Sequence, residues 1–175
     1  MDGASAVNVL SFAIDDNDNL IASGNFAGGF GDFMVGDTTL SGISNTVNGF
    51  VVKYDETLNF NWFNVSNNGF ETYFLDVATD SNNDVVLGGT FKAPIGDKMI
   101  FGIDSFASSP TNPFPRFDGF VAKVDKNGQN LWSHSFGNGE RDDFQRDIAI
   151  NSSNDIYITG TYSTCLLYTS DAADE

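Results

Sequence analysis

The sequence predicts an all-β fold of repeated four-stranded antiparallel sheets, and three observations carry that prediction. Among 175 residues there are 20 Asp, 19 Asn, 18 Gly and 17 Phe against only 9 Leu and 12 Ala. Turn formers and strand-favouring aromatics therefore outweigh good helix formers. No stretch carries a sustained apolar stripe at helical spacing. The chain also repeats itself. Residues 13–26 (AIDDNDNLIASGNF) align without gaps to 78–91 (ATDSNNDVVLGGTF) and 149–162 (AINSSNDIYITGTY), at offsets of 65 and 71. Residues 49–55 with Trp62 recur at 119–125 with Trp132, and six of the fourteen positions from 49 to 62 are identical. A period of this length marks stacked supersecondary units.

Each unit reads as four strands. Ser5–Ala13 align with the first strand of the later copies. In the middle copy the first strand is Tyr73–Thr79, followed by a turn at Asp80–Asn83. The second is Asp84–Phe91, whose Val85, Leu87, Gly89 and Phe91 share one face by period-2 alternation. The third is Asp118–Asp125, with Phe120, Ala122 and Val124 on one face. A turn at Lys126–Gln129, containing the Asn127-Gly128 pair that accepts positive φ, leads to the fourth, Leu131–Phe136. Four antiparallel strands with short turns describe one blade of a β-propeller. The expected division is a first blade at 1–70, a second at 71–139, half of a third at 140–164 and a tail at 165–175.

A lone four-stranded sheet leaves both faces open, so each blade must stack on a neighbour. Gly24, Gly89 and Gly160 fall mid-strand, where glycine marks close approach of another backbone. Phe26, Phe91 and Tyr162 are expected to fill the adjacent gap. Phe50 and Phe120 anchor the third strands, and Trp62 and Trp132 in the outermost strands are expected to seal the space between sheets. Insertions at Ala27–Asn48 and Lys92–Phe117 begin alike, GDFMVG and GDKMIFG. They are expected to project as extra hairpins, the second stiffened by Pro110, Pro113 and Pro115, and to carry recognition.

Charge narrows the partners. With 24 acids against 8 Lys and Arg, the net charge is −16, a field that disfavours nucleic acid and anionic membrane surfaces. No run reaches the roughly 18 apolar residues of a membrane-spanning helix. The first ten residues lack the basic start and apolar stretch of a signal peptide. The last eleven (CLLYTSDAADE) match a translated sequencing adapter and are set aside, the only cysteine, Cys165, with them. The chain is therefore expected to be a fragment, with apolar outer faces that promote association.

Two further features complete the pattern: a Gly/Asn-rich loop with Asp142-Asp143-Phe144, and the Ala-x-Asp-Ser-x-Asn-Asp run before Gly89. Together with Gly-Phe-Val-x-Lys and the following Trp, they resemble the SBBP repeat, a seven-bladed-β-propeller-type repeat. The resemblance covers about Ala6 to Thr164. It implies a large exported or cell-surface bacterial protein, an extracellular location, and the remaining blades of the same propeller as partners. The insertions, and Asn151 where the other copies have Asp, depart from it.

Chemistry-bearing groups are sparse. His134, the only histidine, lies on the face of Trp132 and Phe136 and reads as a surface or packed residue. No G-x-S-x-G, P-loop or H-E-x-x-H pattern occurs, and no catalytic or cofactor-binding residue is assigned. The Asp15, Asn17, Asn19 and Asp80, Asn82, Asp84 runs place oxygens at alternate positions, as calcium loops do. The same runs read more simply as Asx hairpin turns, which account for all three copies including Asn151–Asp155, so no cofactor is assigned. The leading expectation is a non-enzymatic scaffold for protein, glycan or adhesion contacts. The alternative is part of a propeller enzyme, a quinoprotein dehydrogenase or polysaccharide lyase, whose catalytic residues lie elsewhere.

Overall fold

Period-2 patterning and turn chemistry produce strands throughout. The computed structural model describes residues 6–27, 33–35, 38–40, 47–67, 70–94, 96–107, 114–137 and 141–163. Every regular element among them is a strand. The tail with Cys165, as well as Pro110 and Pro113, lies outside the described residues.

In chain order the strands are β1 (Val7–Ile14), β2 (Leu20–Ala27), β3 (Phe33–Val35), β4 (Thr38–Leu40), β5 (Val47–Tyr54) and β6 (Phe60–Val65). Then come β7 (Glu71–Thr79), β8 (Val85–Lys92), β9 (Met99–Phe101), β10 (Asp104–Phe106), β11 (Asp118–Val124) and β12 (Asn130–Phe136). Finally β13 (Phe144–Ile150) and β14 (Ile156–Thr161) form a two-stranded sheet. The first blade runs β1-β2-β5-β6 and the second β7-β8-β11-β12, all antiparallel, and a parallel bridge between Val47 and Glu71 links β5 to β7. β3–β4 and β9–β10 are separate hairpins inserted between second and third strands.

The blades stack face to face: β7 packs on β1, β2 and β5, and β13 packs on β7 and β8. β8 shows why its sequence is a continuous apolar run. Val85, Leu87 and Phe91 join a cluster with Ile21 and Val51 on the side of the first blade. Val86 joins Val121 and Ile148 on the side of the third. A strand buried on both faces has no polar face to show.

Each innermost strand carries a bulge at the same position, between Val9 and Ser11, Phe74 and Asp76, and Gln145 and Asp147. The residues left out of the ladders are Leu10, Leu75 and Arg146. Opposite the bulges stand the three repeated glycines. A Cβ on Gly24 would lie 1.9 Å from the Asn8 carbonyl oxygen, on Gly89 1.9 Å from that of Tyr73, and on Gly160 2.2 Å from that of Phe144. The backbone that comes close thus belongs to the bulged strand of the same sheet.

Sequence reasoning expected the insertions to project. The second does not. Met99, Phe101 and Phe106 of β9–β10 are buried in the main core, with the Phe101 ring 5.3 Å from Phe74 and Phe106 5.9 Å from Phe91. The hairpin turns its apolar face inward because two twisted sheets leave a gap that these side chains fill.

Candidate functional site

Because every strand pair alternates direction, each blade has a turn end and an insertion end. At the turn end, five hairpins share one design. The residue opening each turn (Asp15, Asp55, Asp80, Asp125, Asn151) accepts, through Oδ1, the backbone N–H groups two and four residues on. The fourth residue has positive φ in every copy: Asp18, Leu58, Asn83, Gly128 and Asn154.

These bonds show what the calcium-candidate carboxylates are doing. The second oxygen of Asp15 takes the Lys53 ammonium at 2.7 Å, both side chains being buried, and the Asn19 amide at 2.9 Å. Asp80 takes Lys123 at 2.7 Å, and Asp84 lies 3.2 Å from the same ammonium. Asn17 and Asn82 offer these acids their backbone N–H groups. Among the described residues no three His, Cys, Asp or Glu side chains gather where a metal could bind. Burial acts to raise the Asp15 pKa, but bonds from Lys53, Asn19 and Asn17 outweigh it and hold the carboxyl below 3.8. Burial likewise opposes the charge of Lys123, and Asp80 and Asp84 outweigh it, raising the ammonium above 10.5. The lysine of Gly-Phe-Val-x-Lys therefore ties the third strand to the turn between the first and second.

Neighbouring blades are latched at repeated positions. Asn83 Oδ1 accepts the Asp16 N–H, and Asn154 Oδ1 accepts that of Ser81. Trp62 donates its indole N–H to the Lys126 carbonyl at 2.9 Å, and its ring covers Gly128. Trp132, its counterpart, packs on the cluster of Val121 and Ile148 and stacks on the exposed His134 at 5.6 Å. Phe50 and Phe120 are buried opposite Gly24 and Gly89.

The insertion end departs from repetition. A cavity of about 310 Å³ opens there between the second and third blades, lined by Glu71, Tyr73, Leu75, Thr90, Phe117, Phe144 and Arg146. Its walls are aromatic, with Phe117 lying 6.0 Å from Tyr73 and 5.5 Å from Phe144. The Glu71 carboxylate takes Lys92 at 2.7 Å and the Tyr73 hydroxyl at 3.2 Å. The Lys92 ammonium also lies 4.6 Å from the Phe117 ring centroid. Burial, with the charge of Glu71 and the hydrogen bond to it, raises the Tyr73 pKa and keeps the phenol protonated. Arg146 lies over the Phe144 ring at 4.9 Å. The sequence reading named none of these as site residues. Extending the repeat alignment three residues upstream would have exposed Arg146, where the earlier copies have Leu10 and Leu75.

No protein-family model matches the chain. Over 146 residues it is 34% identical to an uncharacterized WD repeat-containing protein of Acanthamoeba polyphaga mimivirus, a match covering 81% of this chain and 10% of that protein. The chain thus spans about a tenth of the length of the curated relative it matches. Stacked four-stranded blades and a WD-repeat relative agree. The fold is a β-propeller. The residues named above alone carry the likeness to SBBP repeats.

Proposed function

We propose that this stretch of β-propeller serves as an interaction scaffold rather than an enzyme, and that it binds its partner at the insertion end. One observation carries the reading: the cavity between the second and third blades includes lining residues that differ between copies, Tyr73 and Phe144 where the first blade has Asn8, and Arg146 where the others have Leu10 and Leu75. The turn end is self-satisfied, its Asx oxygens spent on its own N–H groups and on lysines. The insertion end combines half-buried aromatic rings with charged groups, the composition of a recognition site on a rigid frame. The WD repeats of the mimiviral relative support the propeller and leave the partner open. SBBP-like repeats and an exported or cell-surface setting belong to this proposal, on the residue resemblance.

The test is a survey of glycan and peptide arrays with the full 175-residue chain, run beside Phe117→Ala and a turn-end control, Lys126→Ala. Selective capture that Phe117→Ala abolishes and Lys126→Ala preserves is expected. Absence of any selective ligand, or loss with the turn-end control alone, overturns the reading.

A further inference from the structure

We infer that the cavity at Arg146 recognises a carboxylate-bearing pyranose, a uronate unit of a glycan; this rests on the insertion end being the binding surface. The inference starts from the bulge. A bulge leaves one residue outside the ladder and re-aims its side chain. In the first two blades that residue is Leu10 or Leu75; in the third it is Arg146, a guanidinium in a chain of net charge −16. Among the described residues the ion pairs engage Lys53, Lys92, Lys123 and Arg116, and none involves Arg146. Its planar fork is held over the Phe144 ring at 4.9 Å, leaving its N–H groups for a bidentate carboxylate partner.

The carboxylate lining the cavity does not compete for it. Glu71 is neutralised by Lys92 and accepts the Tyr73 hydroxyl. Among the lining residues Glu71 is already paired with Lys92, so Arg146 is the lining charge left to meet an anionic group.

Shape selects the rest of the ligand. Three neighbouring rings, Tyr73, Phe117 and Phe144, offer flat apolar surface, suited to the C–H face of a pyranose. A cavity of about 310 Å³ is monosaccharide-sized. An Asp or Glu side chain of a peptide carries the carboxylate but has no flat face to set against three rings. The overall negative field repels polyanions, so the uronate is terminal or flanked by neutral sugars.

The experiment titrates the full chain calorimetrically with methyl glucuronide and methyl galacturonide, methyl glucoside, and a glutamate-containing peptide. Uronides are expected to bind at least tenfold more tightly than the glucoside, and more weakly at high salt. Arg146→Leu should cost roughly ten- to a hundredfold in uronide affinity, the range for a lost charge-assisted contact. This variant should keep its fold, since leucine occupies the same bulge in two other blades; a circular dichroism melt checks this. Equal affinity for glucoside and glucuronide, no effect of Arg146→Leu, tighter binding of the peptide, or no uronide binding each overturn the inference. Capture of a neutral glycan or a peptide that Phe117→Ala abolishes, without uronide binding, leaves the scaffold reading standing. Absence of any ligand removes both.

Discussion

The Asp76 carboxylate joins three innermost strands. Its Oδ1 accepts the Ser11 hydroxyl of the first blade at 2.6 Å, and its Oδ2 accepts the Ile148 backbone N–H of the third at 2.6 Å. Ser11, Asp76 and Asp147 are equivalent by the repeat offsets and directly follow the bulges, so this contact is part of the repeat. β13 is an edge strand of its sheet, and the neighbouring acid satisfies the Ile148 N–H there. Asp76→Ala is expected to destabilise the chain by about 1–2 kcal/mol, less than a wholly orphaned charged bond, because Asp147 also accepts the Ile148 N–H at 3.1 Å. Urea denaturation measures this. A shift no larger than that of an exposed-site substitution would show that Asp76 does not hold the blades together.

Lys53 is the partner that Asp15 needs. Removing it alone, as Lys53→Met, strands a buried carboxylate and should cost roughly 3–5 kcal/mol. The chain itself supplies the rescue: Asn151 opens the third turn without a charge and still accepts the Ser153 and Asp155 N–H groups. Asp15→Asn combined with Lys53→Met should therefore recover most of the loss in chemical denaturation. A double variant as unstable as Lys53→Met would mean that the turn depends on the ion pair and not on its Asx bonds.

The blades were legible because alternation and repetition reinforce each other: Val85, Leu87 and Phe91 on one face of a strand that recurs three times. Other features were written in pieces too short or too distant to read. β9 and β10 have three residues each, so the alternation of Met99 and Phe101 resembled a loop that would project. Lys53 and Asp15 are 38 positions apart (53 − 15), and only a fold pairing the second strand with the third brings them together. The repeat did encode that pair, since both members recur as Asp80 and Lys123. Arg146 was hidden differently: its exposure depends on a bulge, which no residue type announces. Apart from Thr90, the candidate site therefore lay outside the aligned blocks, beyond the reach of repeat logic.

Acid should weaken the turn end first. The Asn59 amide and N–H, with Thr57, hold the Asp55 carboxyl at about 2. Asp15 is likewise held below its ordinary value against the effect of burial, and so is Asp125, by Gln129 and Asn127. Folded pKa values below the unfolded ones give stabilisation that is complete above about 4 and lost as pH falls towards 2. Lys123 has the opposite sign: its contribution is present below 10.5 and lost as pH rises through its elevated value. Urea midpoints recorded between pH 2 and 6 should decline below about 4. Asp55→Asn, which keeps the acceptor without the titration, should decline less steeply. An unchanged slope in that variant would separate acid lability from this turn.

Leu58 marks a position where the sequence is poorly matched to its backbone. It has φ of 63° and a side chain 67% exposed, so it endures a left-handed conformation without packing in return. The same place in other turns is held by Asp18, Asn83, Asn154 and Gly128. Left-handed backbone costs an ordinary L-residue about 1–2 kcal/mol, and asparagine tolerates it. Leu58→Asn should therefore stabilise the chain by about 1 kcal/mol. Leu58→Gly should gain less, because glycine also loosens the unfolded chain. Denaturation midpoints of the two variants decide the matter: if Leu58→Asn gains nothing, the turn relaxes around leucine at no cost, and the use of Asp, Asn and Gly in the other turns has another cause.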